Sequence, residues 1–352
     1  PDSKENLFAG TCAGNNLGSS GCENVLLGNC SGCDLTYGDR NLIIGTQAGK
    51  SVDGACDSIY IGKLVGSANT ASNTGCANLV IGVCAGYHLT TGNKNVFIGI
   101  DAGHQSSVGC MNVMIGMNAG KCSQTGCCQI FIGNSAGMKN RGLRAIAIGE
   151  HAGMGGADGV YFQDIIAIGR YAGKCAISGG CNTFVGRDAG RDVTTGTKNS
   201  FVGDQAGAFN AITGNQNQGF GYLAGGTGGT TGCYNSMFGP RAGNICSGDA
   251  NIIMGFCAGW CGSITGDDNI AIGRCSSHLL SSGTNNISIG CLSLGSADVT
   301  GDSNITIGTC AGKSLTSGSS NILIGHGATV PSATGDHQLA IGVAATSWIT
   351  GT

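Results

Sequence analysis

The chain has 352 residues, a formal net charge of −3 and only 11% charged residues, so it carries no basic field for nucleic acid or anionic lipid. Glycine accounts for 67 residues and proline for only 3, which sets aside collagen and proline-rich linkers. The 41% apolar share is too high for a disordered chain, and it falls in short clusters far below the ~20 consecutive apolar residues of a membrane span. No N-terminal stretch reads as a signal peptide, and a chain that begins at Pro1 without methionine is expected to be a fragment of a longer one.

Along the chain, one pattern recurs. Its anchor is the glycine of an Ile-Gly-like step, found at Gly10, Gly28, Gly45, Gly62, Gly82, Gly99 and onward to Gly342. There are 20 anchors, with a mean spacing of about 17.5 residues and gaps of 16 to 20. Four residues before the anchor stands Asn in 15 of 20 units, and four after it stands Gly in 16 of 20, usually behind Ala. Seven before it stands Gly in 17 of 20 units. No stretch lacks the pattern, so residues 1–352 read as a single continuous array whose last coils, from about residue 325, degenerate. There, Gly325 and Gly342 lack the second glycine and Pro331 interrupts the connector.

Between Asn and anchor lie three apolar residues, such as Leu42-Ile43-Ile44 or Val96-Phe97-Ile98. They are β-branched and aromatic, too few for a helix and interrupted too often by glycine. A period this short suits one coil of a β-helix or β-roll and is too short for leucine-rich, ankyrin or propeller units. The expectation is an all-β parallel β-solenoid of about 20 coils, which at ~4.8 Å per coil makes a rod of roughly 95 Å.

Alternation within the triplet then assigns faces. The first and third positions, as in Ile130 and Ile132 or Ile270 and Ile272, are expected to line the coil's own core, with the repeated Ala in a tight corner. The middle position holds Tyr60, Phe97, Met114, Phe131, Phe184 and Phe201 in some units, but Ala147, Ala167, Ser288 and Thr306 in others. A row of outward aromatics would be an inter-chain apolar face, and the expected assembly is a homotrimer. The alternative is that these side chains lie under loops of the same chain. The Asn slot, with Asn41, Asn78, Asn95, Asn112, Asn251, Asn269, Asn304 and Asn321, is expected to form an amide ladder between stacked coils.

Two segments resemble a known family. Asn95-Val-Phe-Ile-Gly-Ile-Asp-Ala-Gly103 and Thr194-Thr-Gly-Thr-Lys-Asn-Ser-Phe-Val-Gly-Asp-Gln-Ala-Gly207 resemble the repeats of tailed-bacteriophage fibres, which are frequent in virion fibres that end in an intramolecular chaperone domain. The ending Gln338-Leu-Ala-Ile-Gly-Val-Ala-Ala-Thr-Ser-Trp-Ile-Thr-Gly351 resembles the segment that precedes that domain, which the chain itself does not contain. The Asn-x-x-Ile-Gly core is also similar to the shorter head repeats of trimeric autotransporter adhesins. Both resemblances imply trimers. The phage resemblance implies an extracellular, virion-borne shaft that positions a host-binding tip, the receptor or glycan being held by that tip and not by this chain. The alternative is an adhesin or self-assembling filament at the cell surface. An ice-binding solenoid would need a regular Thr-x-Thr ladder, which is missing.

The 20 cysteines keep phase. Cys12, Cys30, Cys84, Cys257, Cys275 and Cys310 stand two after the anchor, and Cys22, Cys56, Cys76, Cys110, Cys127 and Cys233 six before it. Candidate disulfides join Cys12 with Cys30, Cys56 with Cys76, Cys110 with Cys127, Cys257 with Cys275, Cys122 with Cys127, and Cys175 with Cys181. Bridges between stacked parallel segments are geometrically awkward, and the other reading is free cysteine as a small buried hydrophobe. Cys30-Ser-Gly-Cys33 is a lone CxxC with no second pair at zinc spacing. The histidines His88, His104, His151, His278, His326 and His337 fall in different slots of separate coils, and carboxylate pairs such as Asp267-Asp268 fall in connectors. A glycosidase pair across coils has little support when Trp260 and Trp348 are the only tryptophans. The expectation is a non-enzymatic chain with no cofactor or metal, no nucleic-acid partner, no membrane insertion, and itself as the main partner.

Overall fold

Three-residue strands bounded by glycine are stable only when others stack on them. The computed structural model shows that stacking throughout. It describes all residues except 1, 19, 68–71, 157–162, 210, 227–229, 244, 262, 296–297, 345 and 352. The described residues are all-β, with no helix among them. Two compact units are formed, Pro1–Ser178 and Gly179–Thr352, and in each a parallel β-solenoid turns once in about 17 residues.

The first unit has strands at Leu7–Ala9, Val25–Leu27, Leu42–Ile44, Ile59–Ile61, Leu79–Ile81, Val96–Ile98, Val113–Ile115, Ile130–Ile132, Ile146–Ile148 and Ile166–Ile168. Each pairs in parallel and in register with the next, as Phe97 does with Met114 and Met114 with Phe131. The second unit repeats the scheme from Thr183–Val185 to Leu339–Val343. Its last strand, Thr346–Gly351, turns back and pairs antiparallel with Leu339–Val343.

The triplet faces the opposite way from the sequence expectation. Tyr60, Phe97, Met114, Phe131, Phe184 and Phe201 are all 0% exposed inside their own coils and cannot form an inter-chain face. The first and third residues point outward, half-buried or exposed, as at Ile130, Ile252 and Ile322. The physical reason lies in the size variation. A packed interior is a jigsaw in which a large ring beside a small residue is normal. The ring of Phe201 takes the space over Gly219, where an added Cβ would lie 2.6 Å from Cδ1. The outward columns meet no such jigsaw, and Ile, Val and Leu predominate in them.

Each corner has its own chemistry. At the anchors the backbone runs at φ near +130°, and at Gly116 an added Cβ would lie 2.6 Å from the carbonyl oxygen of Gly133 in the next coil. Two further positions per coil, two after the anchor and five before it, are left-handed, and Gly327 is the one glycine among those described: Gln47 has φ 57° and Lys94 φ 58°. Residues of many types stand there, but none of the positive-φ residues is Val, Ile or Thr. β-Branched side chains tolerate that region worst.

Behind each strand, Asn side chains grip the following coil. Asn112 Nδ2 donates to the Gly126 carbonyl at 2.8 Å, and its Oδ1 accepts from the backbone N–H of Gln129 at 2.9 Å. The ladder runs from Asn6 to Gln129 in the first unit and from Asn182 to Gln338 in the second. It includes Asn41, Asn78, Asn95, Asn112, Asn251, Asn269, Asn304 and Asn321, all buried. Between the two stretches the slot holds buried Ala145 and Ile165.

One section of the second unit has a polar interior. Ser276 Oγ lies 2.5 Å from Ser288 Oγ, Ser288 Oγ donates to the Ser293 carbonyl at 2.8 Å, and Ser293 Oγ donates to Thr306 Oγ1 at 2.9 Å. All four residues are buried, so the hydroxyls must satisfy one another. Ser288→Ala is expected to cost about 1 kcal/mol, because the Ser293 carbonyl keeps the N–H of Ser277 but loses its second donor, and Ser276 Oγ loses its partner hydroxyl. Combined with Ser276→Ala, the loss should fall short of the sum by roughly 0.5–1 kcal/mol in a urea-denaturation double-mutant cycle.

Candidate interaction surfaces

The outward columns meet on one face of each sheet. Coils Leu79–Val83, Val96–Ile100 and Val113–Met117 put three apolar side chains apiece on that face, and Val83, Ile100 and Met117 at its border are 43%, 53% and 47% exposed. No charged side chain stands in the outward slots of these three coils. In the second unit the same face carries the stacked rings of Phe220 and Phe238, with centroids 5.0 Å apart, beside exposed Tyr222 and Phe256. In the second unit the slot of Tyr222 also carries an ion pair, Arg187 with Asp204 at 2.9 Å, whereas in the first unit Arg40 pairs off this face with Asp57 one coil on, at 2.6 Å, and holds that carboxyl below its ordinary range. Both partners are about half exposed, so the pair adds little stability.

A second column runs along the slot six before the anchor. In most coils the backbone N–H there donates to the side chain in the same slot of the next coil. Asp249 N donates to Asp267 Oδ1 at 2.7 Å, and Cys110 N donates to the sulfur of Cys127 at 3.2 Å. Cys56 N does the same to Cys76. Sequence reasoning missed this column, although its signal was present: the slot is filled chiefly by Cys, Asp, Asn, Ser and Thr, all short acceptors.

This accounts for most of the phased cysteines without bridges. The structure places no disulfide between any two of the cysteines. Cys56, Cys76, Cys110 and Cys127 belong to the acceptor column, whereas Cys12, Cys30, Cys257 and Cys275 occupy left-handed corner positions with φ of 52–57°. Cys122 is half-buried in a connector, where its N–H donates to Met138 O, and Cys175 and Cys181 fall in different units. Burial pushes the Cys246 thiol up to about 12, and burial likewise raises Cys76 and Cys84. Fewer thiolates form at neutral pH than in free cysteine, which makes these thiols poor nucleophiles.

Among the described residues no three His, Cys, Asp or Glu side chains converge on a point that could hold a metal ion. The histidines are less scattered than their slots suggested. His88 and His104, from successive coils, have ring centroids 5.3 Å apart, and Tyr87 stacks on His104 at 5.2 Å with 13° between planes. Beside them a groove of about 480 Å³ is lined by His88, Gln105, Ser107 and Gln124. A shallower dent of about 330 Å³ is lined by Cys76, Ala77, Asn93, Lys94, Cys110 and Met111. The chain matches no family model and no curated protein sequence at a significant level.

Proposed function

We propose that the chain is a structural shaft of a viral fibre, working outside the cell as a homotrimer and positioning a host-binding tip carried elsewhere. It acts through stiffness and lateral assembly, without catalysis or cofactor. The observation that carries this reading is the uncharged outward face at Leu79–Met117, where successive coils present apolar columns to solvent. Contiguous apolar patches of this kind mark interfaces. A column that repeats once per coil is best matched by another column of the same spacing, which a second copy of this chain supplies. The number three comes from the resemblance of the repeats to phage fibre repeats.

Light scattering on the full chain at micromolar concentration should give a mass three times 34.9 kDa. Replacing Ile98 and Ile115 together by Asp should dissociate it to monomers while the circular dichroism spectrum stays β-rich, because both side chains point out of the coil. A wild-type monomer at that concentration would sink the reading.

A further inference from the structure

We propose that the groove beside Tyr87 and His104 is a binding site for a neutral oligosaccharide, formed jointly by three successive coils of the first unit. It stands independently of the shaft reading, since it uses connector residues and not the outward strand face. His88 comes from one coil, Gln105 and Ser107 from the next, and Gln124 from the one after. The groove's roughly 480 Å³ suits one or two sugar rings.

The lining selects the ligand class by its polarity. No carboxylate, ammonium or guanidinium lines the groove, so nothing there recognises an anion or a cation. The side-chain amides of Gln105 and Gln124 are half-buried, yet neither makes a hydrogen bond within the chain. Polar groups held in a groove without internal partners leave their bonding capacity for a ligand. An amide offers a donor and an acceptor side by side, which matches two neighbouring hydroxyls on a sugar ring. Ser107 is placed by its own bonds: its N–H and its Oγ both donate to the Gln124 carbonyl, at 3.1 and 3.3 Å.

Of the three neighbouring rings His88 is the one that lines the groove, and Tyr87 and His104 pack against it from behind. Tyr87 and His104 are stacked face to face, and His88 meets Tyr87 edge-on at 4.9 Å. Aromatic faces take the C–H side of a sugar ring, while polar edges take its hydroxyls. His104 Nδ1 is buried and unpartnered, and burial lowers the pKa of this ring, which keeps it uncharged at neutral pH. A peptide would be a poorer fit, because the lining has no apolar recess for its side chains and no free strand edge for its backbone.

The test is saturation-transfer NMR on the full chain with six probes: maltohexaose, cellohexaose, laminarihexaose, chitohexaose, mannohexaose and a sulfated heparin hexasaccharide. The expected result is transfer to at least one neutral hexasaccharide and none to the sulfated one. Gln105→Ala and Gln124→Ala should each weaken that binding about three- to tenfold, the range for a lost uncharged hydrogen bond, without moving the thermal midpoint. Silence from every neutral probe at millimolar concentration, binding of the sulfated probe alone, or neutral binding indifferent to both variants would each overturn the proposal. Preferential capture of an unstructured Gln/Asn-rich peptide over all five neutral sugars would overturn it too.

Discussion

Gly116→Ala should destabilise the first unit by at least about 4 kcal/mol, and full unfolding at 37 °C is within that expectation. Two penalties act together. The backbone holds φ at +130° there, a region almost closed to residues with a Cβ, which alone costs on the order of 1–3 kcal/mol. The new methyl also meets the Gly133 carbonyl at 2.6 Å, and the only relief is to move apart two coils whose strands are in register on both sides. Lys94→Ala, at a left-handed corner in the coil before, is the control. Its backbone already tolerates a Cβ, so it should shift the midpoint of urea denaturation by no more than about 0.5 kcal/mol. Equal effects from the two variants would show that anchor glycines are not set apart by close approach.

The second large effect is expected in the amide ladder. Asn251 donates through Nδ2 to the Gly266 carbonyl at 3.0 Å and accepts through Oδ1 from the N–H and the side-chain amide of Asn269, both at 3.0 Å. Asn251→Leu removes all of this and leaves buried donors and an acceptor without partners, for a loss of about 3–5 kcal/mol in denaturant unfolding. Asn251→Asp is the more telling variant. Oδ1 can still accept from Asn269, but the second oxygen now faces the Gly266 carbonyl and is tolerable only when protonated. Its folded pKa should therefore rise above the ordinary carboxyl value. The folded state then binds more protons than the unfolded one, so stability falls as pH climbs from about 4 toward neutrality. Unfolding curves at pH 4 and pH 7 check this: the Asp variant should lose more between them than the wild type does. A loss no larger than that of the wild type would rule out a donor role for the amide.

The natural exceptions fit the same physics. Ala145 and Ile165 occupy the slot in successive coils and remove donor and acceptor together, which costs far less than stranding one of them. Ser58 keeps the ladder going with its hydroxyl, accepting from the N–H of Asn78 at 3.1 Å. Gln129 reaches the Gly142 carbonyl with its longer arm, at 2.5 Å.

Much of the coil was legible from spacing because every rung has the same needs. Period, parallel stacking and the positions of Asn and anchor Gly follow from repeats that only one-coil-per-unit stacking explains. The orientation of the triplet was not legible, since a strand of three apolar residues has no polar partner to mark its outer side, and alternation alone admits both choices. Size variation at Phe131, Ala147 and Ala167 reads in the sequence as a mark of an interface, when it is what a jigsaw interior produces. The left-handed corners carried a signal only by omission, in the missing Val, Ile and Thr. His88 and His104 were judged by slot number, which hides that side chains one slot apart in neighbouring coils still touch.

The ladder has a direction. Ladder asparagines such as Asn251 and Asn304 donate to a carbonyl of the coil that follows as well as to the Asn Oδ1 of the coil before, whereas Gln338 folds its amide onto the carbonyls of Ser332 and Gly335 within its own coil. Shortening such an array is therefore unequal at its two ends. Removing coils from the upstream side deprives one backbone N–H of its acceptor and one side-chain amide of one of its two, at a surface open to water. Cutting on the downstream side leaves an amide without its carbonyl unless the new last rung also carries a glutamine. Within a unit, coil number is free to drift in whole rungs, because each asparagine asks the same two groups of whichever rung comes next.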